Sequence, residues 1–277
     1  MPRNFNRGLV RLHKRIVASQ IPWLIGGYAR IRESAVYALY VPARLFRHPS
    51  RFKNNFLVYA QTRTGSTVLA DLLNSNPFVR CERELFALGT VFTEAFINAK
   101  RSFYPDRAYG CKIMAYQLEQ QVSPSGMHPF MLKMHIQGWK ILYLTRRNVL
   151  RQALSHLLVQ LGGEYYLLAS DSSPLGRFNI DLDDLQHTIR KIEAAAVRDE
   201  KVLEGIPHLK LVYEDDLLQP EKHQETLNNT LTYLGLPASP VKTELRRITP
   251  AKISDFVENF EELKSFVNNT SYADFLE

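Results

Sequence analysis

Apolar residues along this chain fall into two rhythms. Short apolar runs recur at Phe56-Leu57-Val58-Tyr59-Ala60, 109–115, Lys140-Ile141-Leu142-Tyr143-Leu144-Thr145-Arg146 and Leu209-Lys210-Leu211-Val212-Tyr213. Runs of this length, bounded by polar residues, predict strands buried within a sheet. Between them, apolar residues recur three and four apart. Val68, Leu69, Leu72 and Leu73 predict a helix over 66–74, ended by Asn76-Pro77. Further helices are predicted over 148–161, 182–203 and 221–234, the last stopped by Gly235-Leu236-Pro237. Strands alternating with helices predict a parallel sheet covered on both faces, an α/β domain of three layers. The stretch 162–179, rich in Gly, Ser and Asp, reads as a loop over a site. No internal repeat interrupts this order.

Composition narrows the class. A chain of 277 residues, 45% apolar and 23% charged, can bury one sizeable core, which excludes disordered and fibrous classes. Cys81 and Cys111 are too few for a disulfide framework and lack metal-ligand spacing, so they read as reduced thiols of a cytoplasmic protein. Charge divides the chain. Residues 1–53 hold 11 Lys/Arg against the single acid Glu33, whereas 54–277 hold 24 against 27 acids. The excess of base belongs to an N-terminal appendage, 1–53, and not to the body, 54–277. No nucleic-acid-binding motif accompanies it, and no nucleic-acid partner is expected. The uncharged run 16–29 is broken by Pro22 and falls short of the ~20 apolar residues that span a bilayer. Phe5, Leu9, Leu12 and Ile16 form one stripe, and Arg7, Arg11, Lys14 and Arg15 another. Such a basic amphipathic helix lies on an anionic membrane surface, packs on its own domain, or joins two copies as a homodimer.

The chemistry is concentrated where the first strand meets its helix. Gln61-Thr62-Arg63-Thr64-Gly65-Ser66-Thr67 forms a strand–turn–helix junction. Amides at a helix N-terminus have no partner within the helix, and the macrodipole favours an anion there. Gly65 permits close approach, Ser66 and Thr67 add hydroxyls, and Arg63 adds a fork of charged donors. The turn is not a Walker A sequence, having one Gly and a cation before it. The alternative is a capped helix after a tight turn. A second element lies at Arg146-Arg147-Asn148, at the end of the third strand, with Ser155 two helical turns later. A cation at a strand end and a hydroxyl on the next helix can converge on one phosphate.

Together these elements resemble the sulfotransferases that use 3′-phosphoadenosine 5′-phosphosulfate (PAPS), particularly the bacterial carbohydrate branch with nodulation-factor and trehalose enzymes. The resemblance covers 55–270. It implies a P-loop nucleotide-hydrolase-like fold, with Arg63, Thr64, Gly65, Ser66 and Thr67 around the 5′-phosphosulfate and Arg146 and Ser155 on the 3′-phosphate. Arg147 is an alternative to Arg146, because Asn148 stands where cytosolic members have Pro and the spacing to Ser155 differs by one. Gly110-Cys111-Lys112-Ile113-Met114 resembles a family strand that would bring Lys112 to the cofactor. Tyr213-Glu214-Asp215 resembles another, whose acids would organise the basic residues. Leu245-Arg246-Arg247-Ile248-Thr249 resembles the C-terminal loop, which brings in Arg247.

The reaction so implied is in-line attack by an acceptor hydroxyl on sulfur, releasing 3′,5′-ADP, with Arg63 stabilising the leaving charge. The resemblance points to Glu84 as general base, ahead of Leu85-Phe86, with Glu82 as the alternative. His135 and His156 lie in helical sequence and read as structural. No metal is implied, and the acceptor is expected to be a saccharide or glycolipid. Two other functions compete: a kinase-like phosphotransferase, and a non-catalytic membrane-associated scaffold on the same fold.

Overall fold

The computed structural model describes residues 31, 33–36, 54–87, 89–161, 167–168, 176–241, 243, 245–246 and 250–276. The strands are β1 Phe56–Ala60, β2 Val79–Glu82, β3 Ala108–Met114, β4 Lys140–Thr145, β5 Leu167–Leu168, β6 His208–Val212 and β7 Leu245–Arg246. The helices are α1 Ser66–Asn74, α2 Thr93–Arg101, α3 Ala115–Val122, α4 Met127–Ile136, α5 Val149–Gln160, α6 Leu182–Val202, α7 His223–Leu234 and α8 Phe260–Asn268. Five strands form one parallel sheet in the order β2-β3-β1-β4-β6, and β5 pairs antiparallel with β7. The expected α/β domain with a covered parallel sheet is the observed one.

The period of two within each strand builds the layers. Leu57 and Tyr59 of β1 join Tyr109, Ile113, Ile141 and Tyr143 beneath α2, α3 and α4. Phe56, Val58 and Ala60 point the other way, into Leu69, Leu72 and Leu73 of α1 and Leu227, Leu231 and Leu234 of α7. Every residue of β1 is buried, as a central strand requires. A third cluster joins α5, α6 and α8 through Leu150, Leu154, Ile189, Phe256 and Leu263. At Gly110 a side chain would overlap the Phe56 ring across the β1–β3 pair, so the strand needs glycine there.

The order places β1 between β3 and β4, at the point where connections depart to either side. In such sheets ligands bind beyond the carboxyl ends of the strands. Gln61, Ala115 and Arg146 follow the ends of β1, β3 and β4 respectively.

Several elements were not anticipated from the pattern, the two-residue strands β5 and β7 among them. Strand β2 has only four residues, one of them Arg80, and gives too short an alternation to read. α3 begins at the residue after β3, with no turn residue between them, so the apolar run conceals the change of period. α2, α4 and α8 are short helices. Most of the expected loop 162–179 and the amphipathic stripe 5–16 lie outside the described residues.

One piece of the N-terminal segment is described. The Glu33 carboxylate, 3% exposed, accepts the amides of Val91 at 2.8 Å and Phe92 at 3.0 Å. An acid thus sits at the positive end of α2, and Val36 packs on the first core cluster.

Candidate active site

The turn after β1 is shaped by two left-handed residues, Arg63 at φ 63° and Gly65 at φ 86°. Glycine adopts this region freely, whereas for arginine it is uncommon and strained. Gly65 has a second constraint, since a Cβ there would lie 2.5 Å from a ring carbon of Tyr213. Three successive carbonyls of the turn are held by protein donors. Thr64 Oγ1 donates to Gln61 O at 2.9 Å, Gln152 Nε2 to Thr62 O at 2.9 Å, and Arg146 Nη1 to Arg63 O at 2.9 Å. The α1 ladder begins with Leu69 N donating to Gly65 O at 3.1 Å. The amides before Leu69 in the first turn therefore have no acceptor within the helix.

These residues open on a cavity of about 800 Å³, lined by Arg63, Gly65, Ser66, Thr67, Glu84, Lys112, Arg146 and Ser155 among others. The sequence elements expected at the two phosphates thus meet on one pocket. Arg63 Nε donates to Ser155 Oγ at 2.9 Å, joining the turn directly to α5. Thr64 is placed differently from its neighbours. Its side chain is buried and its hydroxyl is spent on Gln61 O, so what it can offer a ligand is its main chain.

The structure separates Arg146 from Arg147. Arg146 is 7% exposed at its side chain, lines the pocket, and lies 4.6 Å over the Tyr213 ring. Arg147 is 57% exposed and pairs with Asp215 at the surface. Glu214 organises the junction. It accepts the amides of Arg147 at 2.9 Å and Asn148 at 3.1 Å, and it stands 3.7 Å from Arg146 Nε. Both acids lie on a π-helical turn, Tyr213–Leu217, that follows β6. Asn148 caps α5, accepting from Arg151 N at 2.8 Å.

Glu84 and Glu82 also diverge. Glu84 lies just after β2 at φ 36° and lines the pocket. Lys112 Nζ donates to Glu84 Oε1 at 3.1 Å and to Thr67 Oγ1 at 3.2 Å, linking the end of β2 to the turn at 63–67, the cradle of the pocket. The Lys112 side chain is 3% exposed against 47% for Glu84. Burial lowers the Lys112 pKa and the Glu84 carboxylate opposes this. Glu82 is committed elsewhere, to Lys100 at 3.1 Å and to the hydroxyls of Tyr104 and Tyr109, each at 3.3 Å. Arg247 lies outside the described residues.

Several pocket residues were not singled out from sequence. Asp184, His187, Lys191 and Ala195 face it from α6 at helical spacing, and Tyr116 faces it from α3. His156, read as structural, also lines it, while His135 lies on α4 outside the lining. Burial lowers the His156 pKa below that of a free imidazole, and the charges of Arg63 and Lys191 act in the same direction. The helical phase of α6 could have identified its pocket face, but only once the facing element was known.

No family model matches the chain. Nodulation protein H from Rhizobium tropici is 24% identical over 242 residues, which is 80% of this chain and 92% of that protein. Among solved structures, a mouse sulfotransferase complexed with PAP has a TM-score of 0.43 at 13% identity, over 69% of this chain and 61% of that one. Shikimate kinase from Bacteroides thetaiotaomicron has a TM-score of 0.36 at 13% identity, over 66% and 98%. At that distance the two structures add nothing to the architecture already described. The chain is thus similar over four-fifths of its length to nodulation protein H, and its turn at 61–67 with the Arg146 and Ser155 elements resembles the PAPS-dependent sulfotransferases.

Proposed function

We propose that this protein transfers a sulfuryl group from PAPS to a hydroxyl of a saccharide or glycolipid. The observation that supports this most is the meeting of Arg63, Arg146 and Ser155, distant in sequence, on one pocket at the end of β1. A nucleotide with phosphates on both its 5′ and 3′ sides needs two such groups of donors. The relative among nodulation proteins favours a carbohydrate acceptor.

In the reaction, the acceptor oxygen forms a bond to sulfur. The bond from sulfur to the bridging 5′-phosphate oxygen breaks, and its electron pair leaves on 3′,5′-ADP. Arg63 and the amides at the start of α1 stabilise that charge, a contribution of about 3–4 kcal/mol for a preorganised donor. The acceptor proton passes to Glu84. Lys112 holds Oε1 of that carboxylate, while Oε2 has no hydrogen-bond partner among the described residues and is available for the proton. Lys112 and Arg146 supply the remaining positive charge around the donor.

Two measurements test the reading. Calorimetry should detect binding of 3′,5′-ADP and not of ATP, and ATP-selective binding would favour a phosphotransferase instead. Incubation with labelled PAPS and a bacterial glycan extract should then yield a labelled saccharide. A label confined to protein or small phenols would overturn the acceptor class.

A further inference from the structure

Asp199 is a buried acid that forms no ion pair among the described residues. It lies on α6 with 0% exposure, and its oxygens accept from two neutral donors. The Tyr59 hydroxyl donates at 2.6 Å and Gln61 Nε2 at 3.0 Å. The adjacent Arg198 is paired with Glu119 at 3.0 Å. Burial raises the Asp199 carboxyl pKa, and the two donors only partly oppose this. Burying a carboxylate in this way costs stability, while Leu185, Ile189 and Val202 on the same helix are buried and apolar. A leucine at position 199 would suit the core better.

Asp199 holds the entry to the cradle. Gln61 is the first residue after β1, and its Oε1 accepts from Gln152 Nε2 at 3.4 Å. The same Gln152 nitrogen holds Thr62 O at 2.9 Å. Next comes Arg63, in its strained left-handed conformation. Asp199, Gln61 and Gln152 thus tie α6, β1 and α5 to the main chain that sets the direction of the cradle amides. The charge of Asp199 has the wrong sign to attract an anionic donor, so its contribution is geometric.

We propose that Asp199 is a positioning residue for the sulfuryl donor, fixing through Gln61 the main chain at 61–63 in the conformation that receives the phosphosulfate. This rests on the donor reading given above.

The test is titration of the full chain with 3′,5′-ADP. In Asp199→Asn the charge is lost and one oxygen remains to accept, so Gln61 loses its charge-assisted bond. Binding should weaken about tenfold or more, comparable to a lost hydrogen bond to a charged group. Tyr59→Phe removes the other partner and leaves the Gln61 bond. It should lower the melting temperature yet leave affinity within about twofold. Asp199→Asn combined with Gln61→Glu reverses donor and acceptor across the pair and should restore the melting temperature and part of the lost affinity, since the charge now stands at the pocket wall. Should Asp199→Asn not fold, Gln61→Ala removes the same bond together with those to Ile192 O and Gln152, and should weaken binding at least as much.

Wild-type affinity in Asp199→Asn or Gln61→Ala, equal loss in Tyr59→Phe, or no recovery in the exchanged pair would each overturn the positioning role while leaving the donor reading intact. Absence of 3′,5′-ADP binding by the wild-type chain would overturn the donor reading and this role with it.

Discussion

Arg63 and Glu84 both lie in the left-handed region, where non-glycine residues are few and strain of about 1–3 kcal/mol is stored. Both line the same pocket. Each is held there by neighbours: Ser155 accepts from Arg63, and Lys112 donates to Glu84. This is the arrangement expected when side-chain direction matters more than backbone comfort. Replacing Glu84 by Gln should lower turnover about 10²- to 10⁴-fold, as for loss of a general base. Affinity for 3′,5′-ADP should change little, because Lys112 and Thr67 remain. Steady-state kinetics beside nucleotide titration separate the two effects, and unchanged turnover would remove Glu84 from the mechanism. His156 offers a second reading of the site. Its folded pKa is below the ordinary 6.5, so the unfolded chain binds more protons between the two values. The stability it contributes is present above about 6.5 and is lost as pH falls through the folded value. A polyanionic nucleotide nearby should raise that value, so proton NMR of the imidazole should show its midpoint moving up when 3′,5′-ADP is added.

At the scale of elements, the junction of β1 and α1 is a packed unit. Tyr213, on the π-helical turn after β6, lies against Gly65 on one side and beneath Arg146 on another. Single π-helical turns are found often at functional sites. Gly65→Ala would meet both a positive φ and the Tyr213 ring. It should destabilise the fold by more than about 1 kcal/mol and abolish 3′,5′-ADP binding, read by thermal melting and calorimetry. Near-wild-type binding would mean that the turn can move away from Tyr213. The same junction shows how unevenly elements announce themselves. Strand β1 and helix α1 were readable to the residue, because an apolar run passes through polar residues into helical spacing. Strand β2, which delivers Glu84, was not readable. Four residues with Arg80 in the second place carry no decisive period, and only pairing with β3 makes them a strand.

For the whole molecule, the sheet order does what no local pattern could. It sets β1 between β3 and β4, and so gathers the turn at 61–65, Lys112 and Arg146 at one edge. The N-terminal segment contributes as well, through Glu33 at the start of α2. Glu33→Ala should cost about 1–2 kcal/mol, as for loss of a helix cap, without altering nucleotide affinity. Thermal melts and titration would show whether stability and binding separate in this way. The local composition of the chain by itself determined the strand–helix alternation, the strand–turn–helix junction at 61–67 and the placing of Arg146 at a strand end, since period, turn residues and charge are properties of neighbouring residues. Which of Arg146 and Arg147, and which of Glu84 and Glu82, lines the pocket was open in the sequence, because adjacent or alternate residues differ only in the direction they face. Asp199 was hidden for the same reason. Within Arg198-Asp199-Glu200-Lys201 it reads as one more solvated charge, although it falls in phase with Leu185, Ile189 and Val202. Only tertiary packing decides which side of a helix is inside, because burial depends on residues far away in the chain.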